Sequence, residues 1–269
     1  SRRSRSSAAS VPPRRRSHAC DRMAPAGAAG HICGLLSAAG CQRAAGQHKK
    51  EYRHDSPFYR WLLDSSIRLA VSILRIHVDV RGLEQLPQDT PVFFVGNHRS
   101  NFDPILTWYV LRKYRIGYLS KAENFRIPLY GRIIRRCGCT AIDRENPRNA
   151  VVTIRAAADR LQAAEGSVGA YPEGTRNKAA VGLLPFHNGL FKAAKWAHAP
   201  IAVLALDGTE MIAKNYPLRS TRVTLSVAGV LTAEEVDAMS TAEIGARVRA
   251  LLEAALPEAR SQTFEGAGI

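Results

Sequence analysis

Seven short apolar runs, alternating over most of the chain with stretches of helical spacing, limit what these 269 residues can fold into more than any other feature. Residues 77–80, 91–96, 116–120, 139–143, 167–172, 200–206 and 222–230 read as strands, rich in Val, Ile, Leu and Phe and bounded by Gly, Pro, Asn or Asp. Helical patterns fall at 104–114, about 127–136, 147–164, 187–198 and 232–256. Strands that alternate with helices need long crossover connections, which lay helices on both faces of a sheet whose strands run mostly parallel. The expected fold is therefore α/β: a single domain with a mixed, largely parallel sheet of about seven strands flanked by helices. Two capping boxes, Thr232 with Glu235 and Ser240 with Glu243, mark helix starts near the C-terminus.

The formal charge of +15 is unevenly spread. Residues 1–50 hold ten of the 38 basic side chains against a single acid, Asp21, which leaves the remainder at +6. This segment offers almost nothing large and apolar to bury, so it cannot offset the entropy of ordering. A disordered basic tail is expected over 1–55. A nucleic-acid arm, a transit peptide, and a linker or over-extended gene start upstream of Met23 all share such a composition. The aromatic interleaving of nucleic-acid modules is missing, so no nucleic-acid partner is expected. The five cysteines, at 20, 33, 41, 137 and 139, are odd in number and form no C-x-x-C pair. That argues against a disulfide framework or a zinc site, and for a reducing, cytosol-facing compartment.

No stretch approaches the roughly 18 uncharged apolar residues of a spanning helix. Residues 58–76, FYRWLLDSSIRLAVSILRI, nevertheless have membrane character. Arg60, Asp64, Arg68 and Arg75 recur at helical spacings and line up as one stripe, and the rest is mostly aromatic and aliphatic. Such a helix can cover its own domain's core, or it can lie in a bilayer interface with Tyr59 and Trp61 at headgroup depth. The expected organisation is a tail over 1–55, an amphipathic membrane-docking helix over 56–76, and a domain over 77–260.

The stretch VFFVGNHRSNFDPIL, residues 92–106, joins a strand to a helix through His98 and Asp103. Pro104 suits the first position of a helix, which makes Asp103 its N-cap. A tight loop can also fold Asp103 back onto His98. A carboxylate on one imidazole nitrogen fixes the tautomer and raises the basicity of the other, which makes a general base. No G-x-S-x-G elbow supplies a protein nucleophile, so the hydroxyl to be activated belongs to a substrate. A metal site would need a third ligand, and the histidines at 54, 77, 187 and 198 show no ligand spacing.

The loops after other strands add cations. YPEGTRN, 171–177, sets Gly174, Thr175 and Arg176 beside Glu173, a turn able to cradle phosphate or carboxylate or simply a charged turn. Lys121 and Arg144 each follow a strand, on the sheet edge expected for His98 and Arg176. Arg132, Arg135 and Arg136 read as a solvated or headgroup-facing side of a helix.

Together these motifs resemble the glycerolipid acyltransferases, and the 1-acylglycerol-3-phosphate acyltransferases most closely. N-H-R-S-N-F-D carries the H-x4-D motif. Lys121, Glu123, Pro128, Gly131, Gly138 and Arg144 match a second block, P-E-G-T-R at 172–176 a third, and the run around Pro200 a fourth, all in order across residues 60–230. FHNGLFKAA at 186–194 resembles the stretch that follows the third block. Asn124 stands where Leu is usual, and Ala202 where many members carry a second Pro.

The resemblance implies a membrane-associated enzyme at the cytoplasmic face of the inner membrane. It would move a fatty acyl group from acyl-CoA or acyl carrier protein to lysophosphatidic acid, or alternatively to another lysophospholipid or glycerol 3-phosphate, with no cofactor and no metal. In it His98 and Asp103 are catalytic. Lys121, Arg144, Glu173, Gly174, Thr175 and Arg176 bind the acceptor, with Arg144 and Arg176 on its phosphate and Glu173 ordering the loop. Amides near Gly174 stabilise the oxyanion, and Pro200 contacts the acyl chain.

Overall fold

The computed structural model describes residues 55–143, 147–178 and 182–256. The expected tail therefore lies, apart from Asp55, outside the described residues. All seven expected strands are present: β1 (Ile76–Arg81), β2 (Phe93–Gly96), β3 (Gly117–Lys121), β4 (Thr140–Ile142), β5 (Val168–Ala170), β6 (Ile201–Asp207) and β7 (Thr221–Leu231). They form one sheet in the order β1-β7-β6-β2-β5-β3-β4. Every neighbouring pair is parallel except β6 and β7, whose antiparallel ladder shifts register between Val203 and Leu204.

Alternation along β2 shows how the core divides. Phe94 points to the face covered by α1 (Pro57–Ile73), α2 (Phe102–Val110) and α3 (Tyr130–Arg136), and Phe93 points to the other. That second face is covered by α4 (Pro147–Gln162), α5 (Lys192–Ala197) and α8 (Thr241–Ala255). Both phenyl rings are fully buried, each contributing about 1.5–3 kcal/mol of transfer free energy. Two short helices, α6 (Ile212–Asn215) and α7 (Ala233–Ala238), complete the set. Among these, α6 had no periodic pattern to announce it.

Helix ends depart from expectation where local geometry overrides spacing. The helical stretch over 232–256 is interrupted at Met239 and Ser240, and α7 and α8 each start at one of the two capping boxes read from the sequence. Residues 187–198 divide into a 3-10 turn, Asn188–Phe191, and α5. The helix expected from 127 begins at Tyr130, after Leu129 takes a positive φ of 62°.

Helix α1 uses two opposite sides. Leu63, Ile67 and Val71 are buried in the core of the first face, while Phe58, Trp61, Leu69 and Ile73 stay 48–62% exposed on the other side. The expected stripe of charges is broken, because Arg60 turns inward. Its guanidinium pairs with buried Asp55 at 2.6 Å and donates to the carbonyls of Ile116 and Cys137 at 3.2 and 2.7 Å. Arg136 lies over the Tyr59 ring and Arg135 over Phe125, so these two arginines help seat α3 as well as facing outward. Cys137 and Cys139 are free and buried, and burial pushes their thiols up to about 12 and about 11. Among the described residues no helix is long and apolar enough to cross a membrane.

Candidate active site

Strand β2 stops at Gly96, where a side chain would meet the Leu204 carbonyl oxygen at 2.8 Å. The next residue, Asn97, is buried and locks the strand exit to β6. Its side-chain amide donates to the Leu206 carbonyl at 2.8 Å, and its oxygen accepts the Leu206 N–H at 2.9 Å. The loop that begins at His98 is thus held to a fixed base.

Asp103 is completely buried, and its carboxylate organises the loop. Oδ2 accepts the N–H groups of Arg99 and Ser100, each at 2.8 Å, and also meets His98 Nδ1 at 2.8 Å. Oδ1 accepts the Thr209 hydroxyl at 2.5 Å. A carboxylate already serving as acceptor assigns the proton to Nδ1, which leaves the lone pair of Nε2 for chemistry. The expected N-cap role is corrected here. Helix α2 begins at Phe102 with Asn101 in the cap position, so Asp103 sits inside the first turn and reaches back to the amides of residues 99 and 100. Pro104 is likewise two positions further in than its favourable first position.

The loop after β5 closes over His98. Glu173 is buried, and both oxygens of its carboxylate are taken by main chain: Oε1 accepts the His98 N–H at 2.8 Å and Oε2 the Leu184 N–H at 2.9 Å. Burial raises the Glu173 carboxyl above the ordinary glutamate value, against the opposing effect of those two bonds and of nearby His98 and Arg99. Glu173 is therefore a clasp between loops rather than a ligand for substrate. The Asn177 N–H donates to the His98 carbonyl at 2.6 Å, which adds a second tie. Gly174 has a φ of +68°, which favours glycine, and a Cβ there would press on the His187 ring at 2.7 Å. Its N–H closes the turn onto the Tyr171 carbonyl at 3.0 Å, which removes that amide as an oxyanion donor. Thr175 and Arg176 project outward and are exposed.

Lys121 ends β3 at the same sheet edge, two strands from β2 and exposed. Arg144 lies outside the described residues. Pro200 is not brought to the site: it precedes β6, and its carbonyl accepts the Phe93 N–H at 2.9 Å at the start of β2. Strand beginnings in a parallel pair share the edge opposite to strand ends, so Pro200 anchors the far side of the sheet.

Two residues given no role by the sequence complete the site. Thr209, after β6, holds Asp103. Tyr171, after β5, stacks on His98 with ring centroids 4.3 Å apart and planes at 16°. Each follows a strand that ends at this edge; Tyr171 also heads the YPEGTRN stretch, whereas Thr209 has no motif beside it. Beside Tyr171 a cavity of about 320 Å³ opens between the sheet and α4, with Leu119, Ile142, Ala150, Ile154 and Leu190 in its largely apolar wall. Among the described residues no cluster of three or more His, Cys, Asp or Glu could hold a metal ion.

Comparison with known proteins finds relatives that share this part of the chain. Residues 77–207 match the acyltransferase family model. The chain is similar to a 1-acyl-sn-glycerol-3-phosphate acyltransferase of Haemophilus influenzae, 33% identical over 129 residues that make up 46% of this chain and 53% of that protein. It is also similar to the enzyme of that name from Salmonella typhimurium, 27% identical over 172 residues, 64% of this chain and 69% of that one. The match thus spans about half the length of the first relative and just over two thirds of the second. In fold it resembles the crystal structure of the 1-acyl-sn-glycerophosphate (LPA) acyltransferase PlsC from Thermotoga maritima, with a TM-score of 0.60, 20% identity and 90% of each chain covered. The matched region holds His98, Asp103 and the 172–176 loop, so the residues of the site lie within the segment that is similar to the acyltransferase family.

Proposed function

We propose that this protein transfers a fatty acyl group from acyl-CoA or acyl carrier protein to the free hydroxyl of 1-acyl-sn-glycerol 3-phosphate, forming phosphatidic acid for phospholipid synthesis. The observation that carries the reading is the imidazole of His98, tied through Nδ1 to a buried carboxylate and left with Nε2 available at the edge where the strands end. Nε2 takes the hydroxyl proton as the acceptor oxygen attacks the thioester carbonyl. Asp103 pairs with the imidazolium that results. The tetrahedral intermediate then collapses, the C–S bond breaks, and His98 returns the proton to the departing sulfur. The reaction uses no cofactor and no metal.

Lys121, Arg144, Thr175 and Arg176 supply polar and cationic groups for the acceptor phosphate. The apolar cavity beside Tyr171 suits an acyl chain. The acceptor is a membrane lipid, and the outward side of α1 supports docking in a bilayer interface: Phe58, Trp61, Leu69 and Ile73 are large, apolar and exposed together. The protein works at the cytoplasmic face of the inner membrane.

The test uses purified protein with oleoyl-CoA and lysophosphatidic acid. Phosphatidic acid should form, and His98→Ala should lower the rate by about 10²–10⁴-fold, the usual contribution of a general base. Equal rates for the two proteins would overturn the mechanism. Acylation of other lysophospholipids in preference to lysophosphatidic acid would overturn the acceptor.

A further inference from the structure

Asp103 fixes His98 at one atom, Nδ1, and a single hydrogen bond leaves the ring free to tilt about that contact. What lies against the flat of the imidazole is Tyr171, 4.3 Å away between centroids with its plane nearly parallel at 16°. The tyrosine is itself backed. Tyr118 lies parallel to it, 5.7 Å away with planes at 4°, and Trp108 meets Tyr118 edge-on at 5.2 Å. The Trp108 indole N–H donates to the Ile116 carbonyl at 2.8 Å, which anchors the far end of this row of rings in the core. The Tyr171 hydroxyl does little here. It is buried against the hydroxyls of Tyr118 and Thr107 without a hydrogen bond of good geometry to either, and burial holds the phenol neutral.

On the acyl-transfer reading above, we infer that Tyr171 is a positioning residue for His98, whose aromatic face keeps the imidazole in the plane set by Asp103 and stabilises the imidazolium formed during proton transfer. A cation over a tyrosine face within about 6 Å is attracted by the ring quadrupole, more strongly when water is excluded. The pair meets this description each time His98 takes the acceptor proton. The ring carries the effect, and the hydroxyl does not.

The test compares Tyr171→Phe with Tyr171→Leu, with Tyr171→Met as the alternative aliphatic variant should the leucine protein fail to fold. Phe keeps the stacked ring and should match the wild type in rate and pH profile. Leu should lower kcat by about two- to thirtyfold with little change in KM, the range expected for a lost cation–π contact. The acidic limb of the kcat/KM profile should move to lower pH by roughly 0.4–1.5 units, the same energy read as proton affinity.

The charged groups that face His98 stay in place in all variants: Asp103 from α2, Glu173 from the loop after β5, and Arg99 beside it. Titration of the His98 ring protons by NMR, without substrate, should show the same displacement. An unmoved titration in the leucine variant, or a phenylalanine variant as impaired as leucine, would overturn the inference. Absence of acyl transfer in the wild type would overturn the function alone, because the NMR titration needs no turnover.

Discussion

Four donors converge on the Asp103 carboxylate, and the one from Thr209 is the most exposed to a clean experiment. Thr209→Val keeps the shape and removes the hydroxyl, leaving Oδ1 buried with a lost partner. A hydrogen bond to a charged group contributes about 1.5–3 kcal/mol, so urea unfolding should show a loss of that order. Initial rates should fall about tenfold in kcat if the loss loosens the Asp103–His98 pair by one 1.4 kcal/mol step, with Thr209→Ser restoring both. Glu173 gives a pH-dependent prediction. Its carboxyl titrates above the ordinary value of 4.5 in the fold because burial penalises the charge. A raised folded value means that the group's favourable contribution is present below the unfolded value and is lost as pH rises through the folded one. The stability advantage of wild type over Glu173→Gln should therefore be fullest below pH 4.5 and shrink as pH rises above it, measured by urea unfolding of both proteins across that window. His98, Asp103 and Glu173 were legible because they fall within one loop or one motif. Thr209 stands 106 residues from its partner and Tyr171 is an ordinary strand-end aromatic, so only three-dimensional packing reveals either.

Among the elements, the strands were legible nearly to the residue because a buried strand is an apolar run whatever its neighbours are. Helix boundaries were less so. A 3.6-residue pattern runs on through a 3-10 turn or a cap, as it does before α5 and between α7 and α8. Helix α1 is the element whose spacing was most ambiguous, since core cover and bilayer contact both call for apolar residues, and the structure uses one side for the core and leaves the other bare. This separation allows opposite outcomes from the same helix. Phe58→Ser with Trp61→Ser should weaken sedimentation with anionic liposomes and leave the thermal midpoint nearly unchanged, because both side chains are mostly exposed and outside the core. Leu63→Ala, two residues past Trp61 on the buried side, should instead cost about 2–5 kcal/mol of stability. Liposome binding unaffected by the serine pair would remove α1 as the docking element.

At the scale of the molecule, the strand order was the least legible property. β1 pairs with β7 across 145 residues, Ile76 opposite Thr221, and no local signal distinguishes that partner from any other strand. The order matters because it sets five parallel strands with their ends at one edge, where His98 lies, and leaves the opposite edge to fasten the sheet to α1. That fastening is the cluster around Asp55. Arg60 meets it at 2.6 Å, Arg160 at 3.4 Å and Arg115 at 3.5 Å, and these arginines also cap the carbonyls of Arg115, Ile116, Cys137 and Ser167 near the starts of β3, β4 and β5. Desolvating such a group costs nearly as much as the ion pairs return, so the intact cluster adds little net stability, but breaking it strands a charge. Arg60→Ala should lower stability by about 3 kcal/mol, the low end of the range for a broken buried pair, because two arginines remain near Asp55. The double variant Asp55→Leu with Arg60→Met should recover most of that loss. Activity of the folded fraction should be unchanged in both, since the latch and His98 occupy opposite edges. A large fall in kcat with stability retained would mean that the two edges are coupled through α1, and would require the first helix to be counted as part of the catalytic apparatus.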